Sequence, residues 1–135
     1  MTTRERSQVI QERDVRGFLE AYAEALSSGD VQRVADRWHV PCLVVSPQGV
    51  IAVDDRAQVE AFFQASVADY HAKGIRAARL ASADVTLVSS AVAAADVRWD
   101  HPGPDGGSLG VEHAYYVVSA GSVGRLGIDL YAPGD

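Results

Sequence analysis

Apolar residues recur at helical spacing early in the chain. Val15, Phe18, Leu19, Tyr22 and Leu26 share one face, and Arg16, Glu20 and Glu24 lie off it. The pattern predicts a first amphipathic helix that runs into Ser27-Ser28-Gly29-Asp30. Gly29 suits a left-handed helix cap, and Asp30 can then cap a short second helix, VQRVADRW. Val31, Val34, Ala35 and Trp38 form the apolar face of that helix, and Pro41 stops its continuation. A third helix follows Asp55, which with Gln58 resembles a capping box. Its stripe is Val59, Phe62, Phe63, Val67 and Tyr70, and Gly74 closes it. Gly17 inside the first helix costs about 1 kcal/mol against alanine. Either a neighbour packs closely there or the helix tolerates it.

Between the second and third helices, CLVVS (42–46) reads as a short buried strand. Pro47-Gln48-Gly49 turns it into a second strand over 50–53. After Gly74 the spacing changes to alternation. Four strands are predicted, at about 76–88, 91–100, 109–119 and 125–131, with Ser89-Ser90 and 120–124 as turns. The glycine- and proline-rich run from His101 to Ser108 reads as a loop. Residues 1–11 form a polar lead-in, expected to be frayed. The order α-α-β-β-α-β-β-β-β over one domain, 1–135, is an α+β arrangement: three helices on a curved, mostly antiparallel sheet. The late strands are apolar on both faces, so one face should cover the helices and the other a second copy of the chain, most simply as a two-fold homodimer.

Composition narrows the function classes. Of 135 residues, 47% are apolar and 22% charged, ordinary for a globular domain. The formal net charge of −6 disfavours nucleic acid as a partner. A single cysteine, Cys42, excludes an intrachain disulfide and points to a reducing, cytoplasmic setting. No apolar run is long enough to cross a membrane. His39, His71, His101 and His113 show no metal-ligand spacing, so no metal or other cofactor is expected. His71 and His101 read as solvated, and His39 as a residue of a pocket rim. GPDGGSLG lacks the following helix that a phosphate loop needs.

The ending YAEALSSGD of the first helix, the short helix with Trp38, the strand CLVVSPQG, the Phe62-Phe63 pair and the element order together resemble the nuclear transport factor 2-like superfamily. The resemblance covers about residues 9–131 and implies a cone-shaped α+β barrel of the SnoaL-like type. That superfamily includes ketosteroid isomerase, polyketide cyclases and non-catalytic dimerisation domains, so fold analogy alone does not choose an activity. By resemblance to ketosteroid isomerase, Tyr22 matches a helix-one tyrosine that donates to an oxyanion. Glu112, before His113, stands for a protonated aspartate. Ser46, before Pro47-Gln48-Gly49, stands where the base aspartate would be, so the base of ketosteroid isomerase is missing.

The candidate site follows. Tyr22, on an otherwise apolar stripe, is a buried phenol that must find a partner or a wet pocket. If Glu112 faces inward, alternation puts Ala114, Tyr116 and Val118 with it and His113 on the dimer side. A one-residue slip would invert that assignment. The family pattern likewise turns Gly127, Asp129 and Tyr131 inward. Asp129 is then a carboxylate in an apolar cavity, or else an ion-pair partner of Arg98 or Arg125. Tyr22, Glu112 and Asp129 are the catalytic candidates. Trp38, His39, Ser46, Phe63, Trp99, Tyr116 and Tyr131 are the candidates for binding a small hydrophobic molecule. The function expected is binding of such a molecule, with isomerase-, cyclase- or dehydratase-like acid–base chemistry. A non-catalytic dimerisation or ligand-sensing module of the same fold stays open.

Overall fold

The computed structural model describes residues 9–121 and 125–135. Most of the polar lead-in, at 1–8, and part of the last predicted turn, at 122–124, lie outside the described residues. Helix α1 spans Glu12–Ser28 and begins where the Asp14 carboxylate accepts from the Gln11 N–H at 2.9 Å. It ends at Gly29, with φ 71°. Asp30 caps α2 (Val31–Ala35) by accepting from the Gln32 and Arg33 amides at 3.0 and 3.4 Å. Helix α3 (Arg56–Ala72) starts at the expected capping box: Asp55 accepts from the Gln58 amide at 2.9 Å, and Gln58 accepts from the Asp55 amide at 3.2 Å.

Six strands follow the chain: β1 (Trp38–Ser46), β2 (Gly49–Val53), β3 (Arg79–Leu87), β4 (Val92–Pro102), β5 (Ser108–Ser119) and β6 (Gly127–Pro133). They form one sheet in the order β2-β1-β6-β5-β4-β3. Every pairing is antiparallel except β1 with β6. The sheet is curved and does not close into a barrel.

Three local expectations change. Trp38 opens β1, paired with Ile128, because α2 is over by Ala35. Pro41 lies within β1, after a cis peptide bond, rather than ending a helix. The predicted loop at His101 begins later, since β4 continues through His101 to Pro102.

The core lies between the helices and the inner sheet face. Val15, Leu19 and Tyr22 of α1 are fully buried. The inward row of β4 grades from small to large: Ala93, Ala95, Val97, Trp99, then His101, all buried. Small methyl groups line one end of the row, while the indole and imidazole stand tall at the other. On β5 the inward row is Val118, Tyr116, Ala114 and Glu112, opposite β4 partners of the same face. The cavity lies at the large end, between these rings and α3. Gly17 has no heavy atom within 4 Å of where a Cβ would stand, so no close neighbour explains it.

Candidate functional site

The cavity has a volume of about 200 Å³. Its walls are mainly rings and aliphatic groups from α1 (Tyr22, Leu26), β1 (Trp38), α3 (Phe62, Phe63, Val67, Tyr70), the 75–78 segment and the inner face of β4, β5 and β6. That segment is fixed to the end of α1 by Ser27, whose hydroxyl oxygen accepts from the Ala78 N–H at 2.9 Å while its one O–H lies between the carbonyls of Ala23 at 2.8 Å and Ala78 at 3.1 Å.

Two indole–phenol pairs stand inside. Trp38 Nε1–H donates to the Tyr22 hydroxyl at 3.0 Å, and Trp99 Nε1–H donates to the Tyr116 hydroxyl at 2.9 Å. An indole can only donate, so each phenol oxygen is held as an acceptor and keeps its own O–H for another partner. The Tyr22 and Tyr116 rings meet edge to face with centroids 6.1 Å apart. Burial pushes both phenols' pKa values up, Tyr22 especially, with the neighbouring Tyr116 adding to it. Both therefore stay protonated hydrogen-bond donors. Tyr131 also lines the cavity, and burial and Glu112 raise its pKa as well.

Glu112 is the polar centre. Its Oε1 accepts from the Tyr70 hydroxyl at 2.6 Å and lies 3.0 Å from His101 Nε2. The other ring nitrogen of His101, Nδ1, lies 3.1 Å from the Ala77 carbonyl oxygen. Both nitrogens thus face acceptors. A neutral imidazole with an ionised carboxylate would leave a lone pair against an oxygen at one end. Both contacts are hydrogen bonds only when one proton is shared by the pair, on His101 as imidazolium or on Glu112 as carboxylic acid. Burial first, and the Glu112 carboxylate second, hold the Tyr70 phenol far above its usual pKa, so it remains a donor to Glu112.

The sequence candidates divide. Tyr22, Glu112, Trp38, Phe63, Trp99, Tyr116 and Tyr131 all line this cavity. Asp129, His39 and Ser46 do not. The Ser46 hydroxyl closes the β1–β2 turn, donating to the Gly49 carbonyl at 3.1 Å and accepting from the Gln48 N–H at 3.2 Å. Asp129 was expected inward, but the register shifts at that residue. Val118 pairs with Ile128 and Val117 with Leu130, leaving Asp129 as the extra residue on β6. This bulge turns Ile128 into the core and keeps Tyr131 inward. The Asp129 carboxylate instead meets His39 Nδ1 at 2.9 Å, neither Arg98 nor Arg125. His39 has no room beside anything but glycine: a Cβ at Gly127 would lie 2.5 Å from its Nε2. His113 stands on the outer side as expected, 2.6 Å from Asp96.

Two residues of the polar centre escaped the sequence reading. The composition of the sequence places His101 in a solvated loop. It is buried on β4, two positions beyond Trp99 on the same face, so carrying the alternation one step further would have found it. Tyr70 was read only as part of an apolar stripe, and nothing in the sequence pairs its hydroxyl with Glu112. His71, expected to be solvated, is exposed but stands at the cavity mouth. Among the described residues, no cluster of three or more His, Cys, Asp or Glu side chains is arranged to hold a metal.

Comparison with known proteins agrees with this architecture. The model of a family described as NTF2-like protein (DUF6841) matches residues 11–126. Among curated proteins none matches the sequence. An NTF2-like protein of unknown function from Shewanella oneidensis superposes with TM-score 0.69 at 16% identity, over 91% of this chain and 98% of that one. An NTF2-like protein with a cystatin-like fold from Novosphingobium aromaticivorans superposes with TM-score 0.67 at 18% identity, over 90% and 79%. A protein from Shewanella frigidimarina, provisionally named a ketosteroid isomerase, gives TM-score 0.66 at 13% identity, over 87% and 92%. At these identities the likeness concerns the fold alone.

Proposed function

The chain belongs to the NTF2-like family, and on that premise we propose that it binds a small hydrophobic cyclic molecule in the cavity and moves a proton on it. The observation that carries this reading is the contact of Glu112 Oε1 with both the buried His101 Nε2 and the Tyr70 hydroxyl at the wall of an apolar cavity, where the Glu112 side chain is 39% exposed. A pair that shares one proton can give it up at one atom and recover it at another, which is what an isomerase-, cyclase- or dehydratase-like reaction requires. The free O–H groups of Tyr22 and Tyr116 supply donors for an oxygen that gains charge as a neighbouring C–H proton leaves. The roles are then acid–base for Glu112 with His101, oxyanion donor for Tyr22 and Tyr116, and ring contacts for Trp38, Phe63, Trp99 and Tyr131. Ser46, His39 and Asp129 have no part in it.

The volume limits the ligand. An apolar cavity of about 150 Å³ accepts benzene, so about 200 Å³ suits a single substituted ring rather than a fused steroid.

The test is α-proton exchange. Cyclohex-2-enone is incubated with the protein in D₂O and its α-hydrogens are followed by NMR. Exchange that depends on the protein and falls by about 10²-fold or more in Glu112→Gln supports the reading. Exchange equal to that of buffer, with the ring bound, supports the second reading, a ligand-sensing or dimerising module without turnover. What favours that alternative is that Glu112 is the one carboxylate among the described cavity-lining residues, with Ser46 tied into a turn.

We also infer a homodimer through the outer sheet face, where Leu43, Val111 and Tyr115 are exposed apolar residues. A cytoplasmic setting fits a buried free cysteine, Cys42, whose thiol pKa is raised chiefly by burial. Among the described residues no helix is long and apolar enough to cross a membrane.

A further inference from the structure

We propose that the occupant of this cavity is a monoanion, a single ring bearing a carboxylate, and that Arg76 at the mouth selects it. The inference rests on the cavity reading above and narrows its substrate class.

The argument is a charge count over the titratable side chains that face the cavity. These are His101 on β4, Glu112 on β5, His71 at the end of α3, Arg76 in the 75–78 segment, and the tyrosines. Burial keeps the phenols of Tyr22, Tyr70, Tyr116 and Tyr131 protonated and neutral. If both His101 contacts are hydrogen bonds, Glu112 and His101 hold one proton between them, and the pair then carries no net charge wherever that proton sits. Arg76 is left. It is charged at every physiological pH. Among the described residues no carboxylate lies within 4.0 Å of it, so a ligand carboxylate would meet no competing one there. Among the described residues that line the cavity, Arg76 is the one arginine.

The positions make the two ends complementary. Arg76 is exposed at the mouth, one residue before Ala77, whose carbonyl fixes His101. The donor phenols of Tyr22 and Tyr116 are fully enclosed. A ring would lie between them, its carboxylate meeting the planar guanidinium in a two-point hydrogen bond and its opposite edge reaching the phenols and Glu112. A neutral ring would leave the exposed Arg76 guanidinium to water alone. A cationic ring would be repelled.

The experiment compares benzoate with benzamide, which match in size and differ in charge. Binding is followed by NMR titration on the indole N–H signals of Trp38 and Trp99, the chain's two tryptophans, both of which line the cavity. Benzoate is expected to bind about tenfold or more tighter than benzamide, as a charge-assisted contact implies. In Arg76→Gln, an exposed change that leaves the core intact, benzoate affinity should fall to within about twofold of benzamide while benzamide binding is unchanged. Benzamide binding with no preference for benzoate, or a preference that survives Arg76→Gln, overturns the carboxylate inference and leaves the cavity reading standing. Failure of both ligands to move either indole signal overturns both.

Discussion

Replacing Tyr22 by phenylalanine removes one oxygen and tests whether the first helix faces a polar site or a plain core. In the folded protein that oxygen accepts the Trp38 indole N–H at 3.0 Å, and the phenol is 1% exposed. Phenylalanine keeps the ring contacts with Phe18, Trp99 and Tyr116. The loss is therefore the hydrogen bond and not the packing. A neutral hydrogen bond contributes about 0.5–1.5 kcal/mol, and an indole N–H left buried and unpaired costs about 1–3 kcal/mol. Because Trp38 and Tyr22 both border the cavity, a water can take over part of the indole's donation. The expected destabilisation is about 1–2 kcal/mol, toward the lower end of that range. For a chain of this size it corresponds to a fall in Tm of about 3–8 °C. Urea unfolding followed by tryptophan fluorescence gives the free energy, with the m-value as a check that the unfolded state is unchanged. Tyr116→Phe, which orphans the Trp99 indole in the same way, should give a similar loss. If Tyr22→Phe is as stable as wild type or more so, the indole–phenol bond contributes nothing, and the argument that it aims the phenol O–H into the cavity fails.

Other expectations follow from separate parts of the molecule. Gly17→Ala should stabilise the protein by about 1 kcal/mol in urea unfolding, since a mid-helix glycine is replaced where nothing crowds a Cβ; a loss of stability would mean a close neighbour after all. Ser108→Ala removes the hydroxyl that donates to Asp100 at 2.6 Å, the largest of the contacts, with Arg79, that hold that carboxyl below its usual pKa. A depressed carboxyl pKa stabilises the fold above the unfolded-state value and loses that contribution as pH falls through the folded-state value. The Tm gap between Ser108→Ala and wild type should thus be present at pH 7 and close in acid; a gap independent of pH would contradict it. For Tyr22, Tyr70, Tyr116 and Tyr131 the sign is opposite, because their folded-state pKa values are raised. Stability should fall as pH climbs above about 10, the unfolded tyrosine value. Tyrosinate absorbance from these four should then appear together with unfolding, and its appearance in a protein that keeps its far-ultraviolet dichroism would refute their enclosure.

The helices were legible because their signals are local. The stripe of α1, the Gly29 cap, the Asp30 cap and the Asp55–Gln58 box each depend on residues a few positions apart, and each stands where the sequence puts it. The α+β order and curved sheet followed from the change of spacing after Gly74. Most of the cavity's ring wall could be read as well, since Trp99 and Tyr116 alternate regularly along β4 and β5. What failed was parity across irregularities. The bulge at Asp129 turns that carboxylate away from the cavity and toward His39, and no local signal marks it. His101 was lost to the proline and glycines that follow it, although β4 runs on through it. The Tyr70–Glu112 contact joins residues 42 positions apart, which only the tertiary fold brings together.

The central claim is that Glu112 and His101 hold one proton between them inside the cavity. The most direct measurement is ¹⁵N NMR of the His101 ring at neutral pH, with the ¹³C shift of the Glu112 carboxyl read in the same sample. Expected are either both ring nitrogens protonated beside a carboxylate, or an Nδ1–H imidazole beside a carboxylic acid. In Glu112→Gln the ring should become a neutral Nδ1–H imidazole, its Nε2 accepting from the new amide while Nδ1–H still donates to the Ala77 carbonyl. A wild-type ring that is neutral and protonated on Nε2 beside an ionised Glu112 would contradict it, because no proton would then be held for transfer.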